Sequence, residues 1–162
     1  MTRKETRDFV EVWDFENFSS PTRIINFDFG PVDTKESYAQ MMYLVESMGE
    51  LLIVKKVGST MTRLDISKLE FRVSKVELSG NKCEKMESLD GRALFVGKNQ
   101  SMSVSTSDFP GCQENSIYFI EDYIRVYNLK TEVVKYLYVH DYCVTDQSSF
   151  WIIPNPREIT KV

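Results

Sequence analysis

The sequence predicts an all-β fold assembled from short antiparallel strands, and three observations point to it. The apolar segments are brief, rich in Val, Ile, Tyr and Phe, and closed by turn residues. One of them, Phe71 to Leu78, alternates its side chains between two faces, the period of a strand. Helix formers gather in one place only, Asp33 to Met42, where Thr34-Lys35-Glu36 precedes Ala39-Gln40-Met41-Met42, so a helical turn is confined to that stretch. The 162 residues are 42% hydrophobic and 12% aromatic, which excludes a disordered tail and lets one core form without a disulfide or metal.

The strands follow in chain order. Phe9 to Phe15 reads as a strand around Trp13, and Arg23 to Phe29 as a second that stops at Gly30-Pro31. Tyr43-Leu44-Val45-Glu46 turns at Ser47-Met48-Gly49-Glu50 and returns as Leu51 to Val57, with Gly49 supplying the positive φ of a tight hairpin. In the next hairpin Phe71, Val73, Lys75 and Glu77 share one face and Arg72, Ser74, Val76 and Leu78 the other; Ser79 to Lys82 turn, and Cys83 to Leu89 return. Ala93 to Val96 turns at Gly97-Lys98-Asn99-Gln100 and returns as Ser101 to Thr106. Beyond the loop Ser107-Asp108-Phe109-Pro110-Gly111 come Ser116 to Ile120, Ile124 to Leu129 and Val133 to Val139, and then Phe150 to Ile153 before Pro154.

A repeat runs through these strands. Phe9-Val10-Glu11-Val12-Trp13-Asp14, Phe71-Arg72-Val73-Ser74-Lys75-Val76 and Ile124-Arg125-Val126-Tyr127-Asn128-Leu129 share one form, and their spacing is near the ~50 residues of a kelch-type propeller blade. About three four-stranded antiparallel blades are expected, over residues 9–30, 41–89 and 92–153, within a single domain covering 1–162. Closed propellers typically have four to eight blades. The expectation is therefore an incomplete β-propeller arc with blade faces and edge strands unprotected.

Arg92 to Ser105, with Gly97-Lys98-Asn99-Gln100 inside it, then Asp108-Phe109-Pro110-Gly111 and Asn115 to Asp122, resembles the hallmark of the plant F-box-associated, KIB-type (kelch-like) β-propeller family, formerly a domain of unknown function. Tyr43 to Val54 is similar to the preceding blade of that family, and Val126 to Leu129 and Phe150 to Pro154 to its last strands. The resemblance covers about Phe9 to Pro154 and corresponds to the C-terminal part of the family's propeller. No segment resembles the F-box that opens complete members. The resemblance implies a non-enzymatic protein-interaction module, a relative of substrate receptors of cullin-type ubiquitin ligases. A protein partner is then expected, without direct binding of a Skp1-like adaptor. The alternative is a self-contained small β-barrel or sandwich holding a small apolar ligand.

Composition narrows the chemistry. Twenty Lys and Arg stand against 24 Asp and Glu, intermixed, for a net charge of -4, so no basic footprint for nucleic acid is present. The longest apolar run, Met41 to Val45, is too short to span a bilayer, and Met1 to Asp8 is almost wholly polar, so neither membrane insertion nor export is expected. Three widely spaced cysteines, Cys83, Cys112 and Cys143, suit a reducing cytoplasm or nucleus. His140 is the only histidine, which removes His-cluster metal sites; its neighbour Cys143 and the lone turn glycines make neither a Cys-His pair nor a phosphate loop. No catalytic, metal or cofactor residue is assigned. Rigid propellers bind with their loops, so the candidate partner-binding residues are Ser107, Asp108, Phe109, Pro110 and Gly111, together with Glu121, Asp122 and Tyr123. Each also has an ordinary reading as turn chemistry, and the many aromatics read as packing between blades.

Overall fold

The computed structural model describes residues 7–17, 19–31, 41–58, 69–77, 82–120, 123–138 and 151. The expected helical turn over 33–40, the turn at 79–81, the strand at 150–153 apart from Trp151, and His140 and Cys143 lie outside the described residues. Among the described residues there are eleven strands and no helix, so the fold is all-β. Met41 and Met42 belong to a strand.

Strands β1 (Arg7–Asp14) and β2 (Thr22–Pro31) pair antiparallel around the exposed turn. Strands β3 (Met41–Ser47), β4 (Glu50–Val57), β5 (Glu70–Glu77) and β6 (Lys82–Met86) form a four-stranded antiparallel meander in chain order, as expected of a blade. Its first turn is the two-residue hairpin the sequence predicts: Met48 and Gly49 have φ of 56° and 78°, and Ser47 pairs with Glu50.

The third sheet holds β7 (Arg92–Val96), β8 (Met102–Ser105), β9 (Ser116–Ile120), β10 (Ile124–Asn128) and β11 (Val133–Tyr138) in the order β8-β7-β9-β10-β11. It departs from a four-stranded meander in having a fifth strand and one parallel pair, β7 with β9. The cause lies between β8 and β9. A hairpin partner would lie beside β8, whereas residues 106–115 carry the chain back over β7 and set β9 on its far edge, with Ala93 beside Ser116.

The second and third sheets pack face to face. Val45, Leu52, Val54, Phe71 and Val73 of one sheet meet Leu94, Val96, Ile117, Phe119 and Tyr127 of the other in one buried cluster. Phe71 is its centre, with ring centroids 5.0 Å from Phe119 and 5.3 Å from Tyr127. The second and third copies of the sequence repeat therefore face one another, β5 against β10. On its other face the β3–β6 sheet presents Ile53 and Val76, which pack with Val10 of β1. Burial on both faces explains why β4 reads Leu51-Leu52-Ile53-Val54 without alternation.

The far face of the third sheet buries Ala93, Met102, Val104, Tyr118 and Val126, with Phe109, Cys112 and Trp151 packed on them. This face is covered in part by the crossover loop and Trp151. No helix among the described residues is long and apolar enough to cross a membrane.

Candidate functional site

The loop singled out in the sequence is the crossover itself, and its geometry follows from a few side chains. Thr106 donates through both its backbone N–H and its hydroxyl to the Gly91 carbonyl, at 3.0 and 2.7 Å. Phe109 N–H donates to the Ser105 carbonyl and Cys112 N–H to the Phe109 carbonyl, which folds 105–112 into two consecutive turns. The Tyr118 hydroxyl then accepts from Gln113 N–H at 2.8 Å. The end of the loop is fixed by Asn115, buried and in the left-handed region at φ 56°. Its side-chain oxygen accepts from Leu89 N–H at 2.7 Å and from the Ser88 hydroxyl at 3.0 Å, and its backbone bonds Arg92 and Leu129.

Within this frame the candidate residues divide. Ser107, Asp108, Pro110 and Gly111 are exposed on the loop's outer surface. Phe109 turns inward and packs on the far-face cluster. A methyl group on Gly111 would meet nothing within 4 Å, so its surroundings are open. Tyr123 is half-buried, its ring edge-on to Tyr136 at 5.7 Å, with the Arg125 guanidinium 5.8 Å from the Tyr123 ring and 5.2 Å from the Tyr136 ring. Glu121 and Asp122 lie outside the described residues. No hydrogen bond, ion pair or ring contact among the described residues joins Ser107–Gly111 to Tyr123.

Two buried cations escaped the sequence reading. Lys56 and Arg125 are 4% and 2% exposed and lie on the facing surfaces of the second and third sheets. The Lys56 ammonium stands 5.9 Å from the Phe119 ring centre. Burial, and then the neighbouring Arg125 charge, bring its pKa from 10.5 down to about 8. The signal was present in β4: alternation that puts Leu52 and Val54 on the core face puts Lys56 there as well.

A cleft of about 490 Å³ opens between β5, β6 and the β10–β11 turn. Phe71 and Tyr127 line it with Met86, and the paired Glu70 and Arg72, 2.7 Å apart, stand at its rim. Arg72 holds the Glu70 carboxyl below the usual carboxylate range, and burial raises the phenol pKa of Tyr127. Among the described residues no three His, Cys, Asp or Glu side chains gather as a metal site. Cys83 and Cys112 are free thiols, both with pKa raised by burial, which is the opposite of an activated nucleophile.

The all-β fold agrees with the family to which the sequence is similar. The family model of the KIB1-4 beta-propeller matches residues 4–146. The F-box protein At4g35733 of Arabidopsis thaliana is 30% identical over 112 residues, covering 64% of this chain and 31% of that protein. The chain thus matches less than a third of the length of that relative. No solved structure matches it. With eleven strands among the described residues, a blade-type meander and a family match over most of its length, the chain belongs to the KIB1-4 β-propeller family.

Proposed function

We propose that this protein is a non-enzymatic protein-interaction module, related to the propeller part of F-box substrate receptors of cullin-type ubiquitin ligases. The observation that carries the reading is the family match over residues 4–146 on a rigid pair of packed sheets whose crossover loop turns polar residues outward. The surface Ser107, Asp108, Pro110 and Gly111, with Tyr123 beside the Arg125 and Tyr136 cluster, is where a partner docks. Residues 121–122 complete that set in the sequence. Cofactor chemistry has no role, and the compartment is the cytoplasm or nucleus.

The test uses purified chain labelled with a photocrosslinker at Asp108 and, separately, at Lys82 on β6. Crosslinks from Asp108 to one recurrent protein, competed away by unlabelled chain and absent from Lys82, support the reading; equal or no capture at the two positions overturns it. Purified chain mixed with a purified Skp1-like adaptor should elute separately in gel filtration, and co-elution overturns the expectation that residues 1–162 do not bind the adaptor directly.

A further inference from the structure

Arg92 opens β7 on the same face as Leu94 and Val96, which face the second sheet. Ser105 of β8 stands opposite it in register, and Ser103 opposite Leu94. These serines alternate with Met102 and Val104, which belong to the far-face cluster, so β8 is polar toward Arg92 and apolar behind. The Arg92 Nε donates to Ser103 Oγ at 2.6 Å, and Ser103 Oγ lies 2.9 Å from Ser47 Oγ at the end of β3. Ser105 Oγ lies 2.6 Å from Ser107 Oγ on the exposed start of the crossover loop.

One nitrogen of the guanidinium is therefore committed to the protein and two are not. Neither terminal nitrogen of Arg92 bonds a described residue, and the side chain is only half-buried. Arg92 makes no ion pair among the described residues, whereas Arg23 and Arg72 have the carboxylates of Glu11 and Glu70 at 3.0 and 2.7 Å. The acids nearest in sequence, Asp90 and Glu87, are exposed and form no ion pair with it among the described residues. A half-buried guanidinium pinned at Nε keeps the two-nitrogen fork that matches a carboxylate or phosphate, and loses little side-chain freedom on using it. In the Ser105–Ser107 pair one hydroxyl donates to the other, which leaves one O–H proton available to a further acceptor.

We propose that Arg92, with the Ser105–Ser107 hydroxyl pair, is an oxyanion site that takes a carboxylate or phosphate group from a side chain of a protein partner. The proposal rests on the protein-interaction reading above and adds the chemistry of the partner: an acidic or phosphorylated residue. The net charge of -4 makes general attraction of anions unfavourable, so binding at this point depends on the local fork.

The experiment follows the arginine Nε–Hε resonances of the full 162-residue chain by NMR during titration with N-acetyl-phosphoserine amide, N-acetyl-aspartate amide and uncharged N-acetyl-serine amide. A saturable shift at Arg92 is expected with at least one of the charged probes and not with the serine amide, while Arg23 stays in place. The two charged arms separate phosphate from carboxylate. Arg92→Lys, read through the backbone amide resonances of Ser105 and Ser107 that are followed in the same titrations of both proteins, should weaken the binding about tenfold or more, as expected for loss of a charge-assisted pair of hydrogen bonds. Ser107→Ala, at an exposed position that leaves the fold intact, should weaken it less. No saturable shift with any probe, equal shifts at Arg23 and Arg92, or undiminished affinity in Arg92→Lys overturns the site. Such a failure would leave the crosslinking result from Asp108 standing, so the two readings fall separately.

Discussion

Asn115 holds together three pieces of chain, the β6–β7 connection at Ser88 and Leu89, the start of β7 and the β10–β11 turn, from one left-handed position. Asn115→Ala removes the acceptor for the Leu89 N–H and places a methyl-bearing residue at φ 56°, so a loss of about 2–3 kcal/mol in urea denaturation is expected. Asn115→Gly recovers the backbone share alone and should fall between the two; equal stability of Ala and Gly variants would remove the backbone contribution. Lys56 gives a second prediction. Below about pH 8 it is protonated in both folded and unfolded chains, and its burial cost stands in full. Between about 8 and 10.5 the folded chain gives up a proton that the unfolded chain keeps, so this residue makes stability rise with pH across that window. Lys56→Met should flatten the rise between about pH 7.5 and about pH 9.5 in denaturant titrations, and an unchanged slope would show that another group titrates there. The sequence made the turn chemistry around Met48 and Gly49 legible because a two-residue hairpin admits few residue types. It did not reveal Asn115, because an asparagine before a strand is the commonest of turn residues and its partners lie 14 or more positions away.

At the scale of elements, the hairpins read from the sequence around Gly49, Gly97 and the turn before Lys82, and the strand pair joined by residues 128–132, connect strands that pair as expected. Local signals suffice for them, since both strands and the turn lie within one window of sequence. The β7–β9 pairing was not legible for the converse reason. Parallel neighbours share no turn, and the loop Ser107–Gly111 carries the same Pro-Gly signal whether it closes a hairpin or crosses a sheet. The placement of Phe109 follows from this: in a crossover it meets the sheet face, so the most apolar of the candidate binding residues serves packing. Trp151 tests the covered face. Its Nε1 donates to the Val96 carbonyl at 2.9 Å, its ring stands edge-on to Phe95 at 4.9 Å, and a Cβ added at Gly97 would lie 3.1 Å from its ring. Gly97→Ala should cost about 1 kcal/mol as the indole is displaced. In a Trp151→Ala background that cost should shrink to what the Gln100 carbonyl, 3.3 Å from the same point, imposes. Full additivity of the two substitutions would show that they do not meet.

For the molecule as a whole, the shared cluster around Phe71 makes the second and third sheets one folding unit. Phe71→Ala removes a ring that is 2% exposed and touches two others, a loss of about 3–5 kcal/mol. Amide exchange in β4 and in β9 should accelerate together in that variant, and acceleration of β4 alone would show the sheets to be independent. The crossover that completes the third sheet also orders events during synthesis. Each strand of the β3–β6 meander can pair with the strand made just before it, as soon as it leaves the ribosome. Strand β7 pairs at once with β8 on one side only; its other edge waits for β9, since Ala93 pairs with Ser116. During that interval an apolar strand, Ala93-Leu94-Phe95-Val96, stands with one row of backbone donors and acceptors vacant. Nascent chains paused between β8 and β9 are therefore the species of this protein most exposed to mispairing and to capture by chaperones.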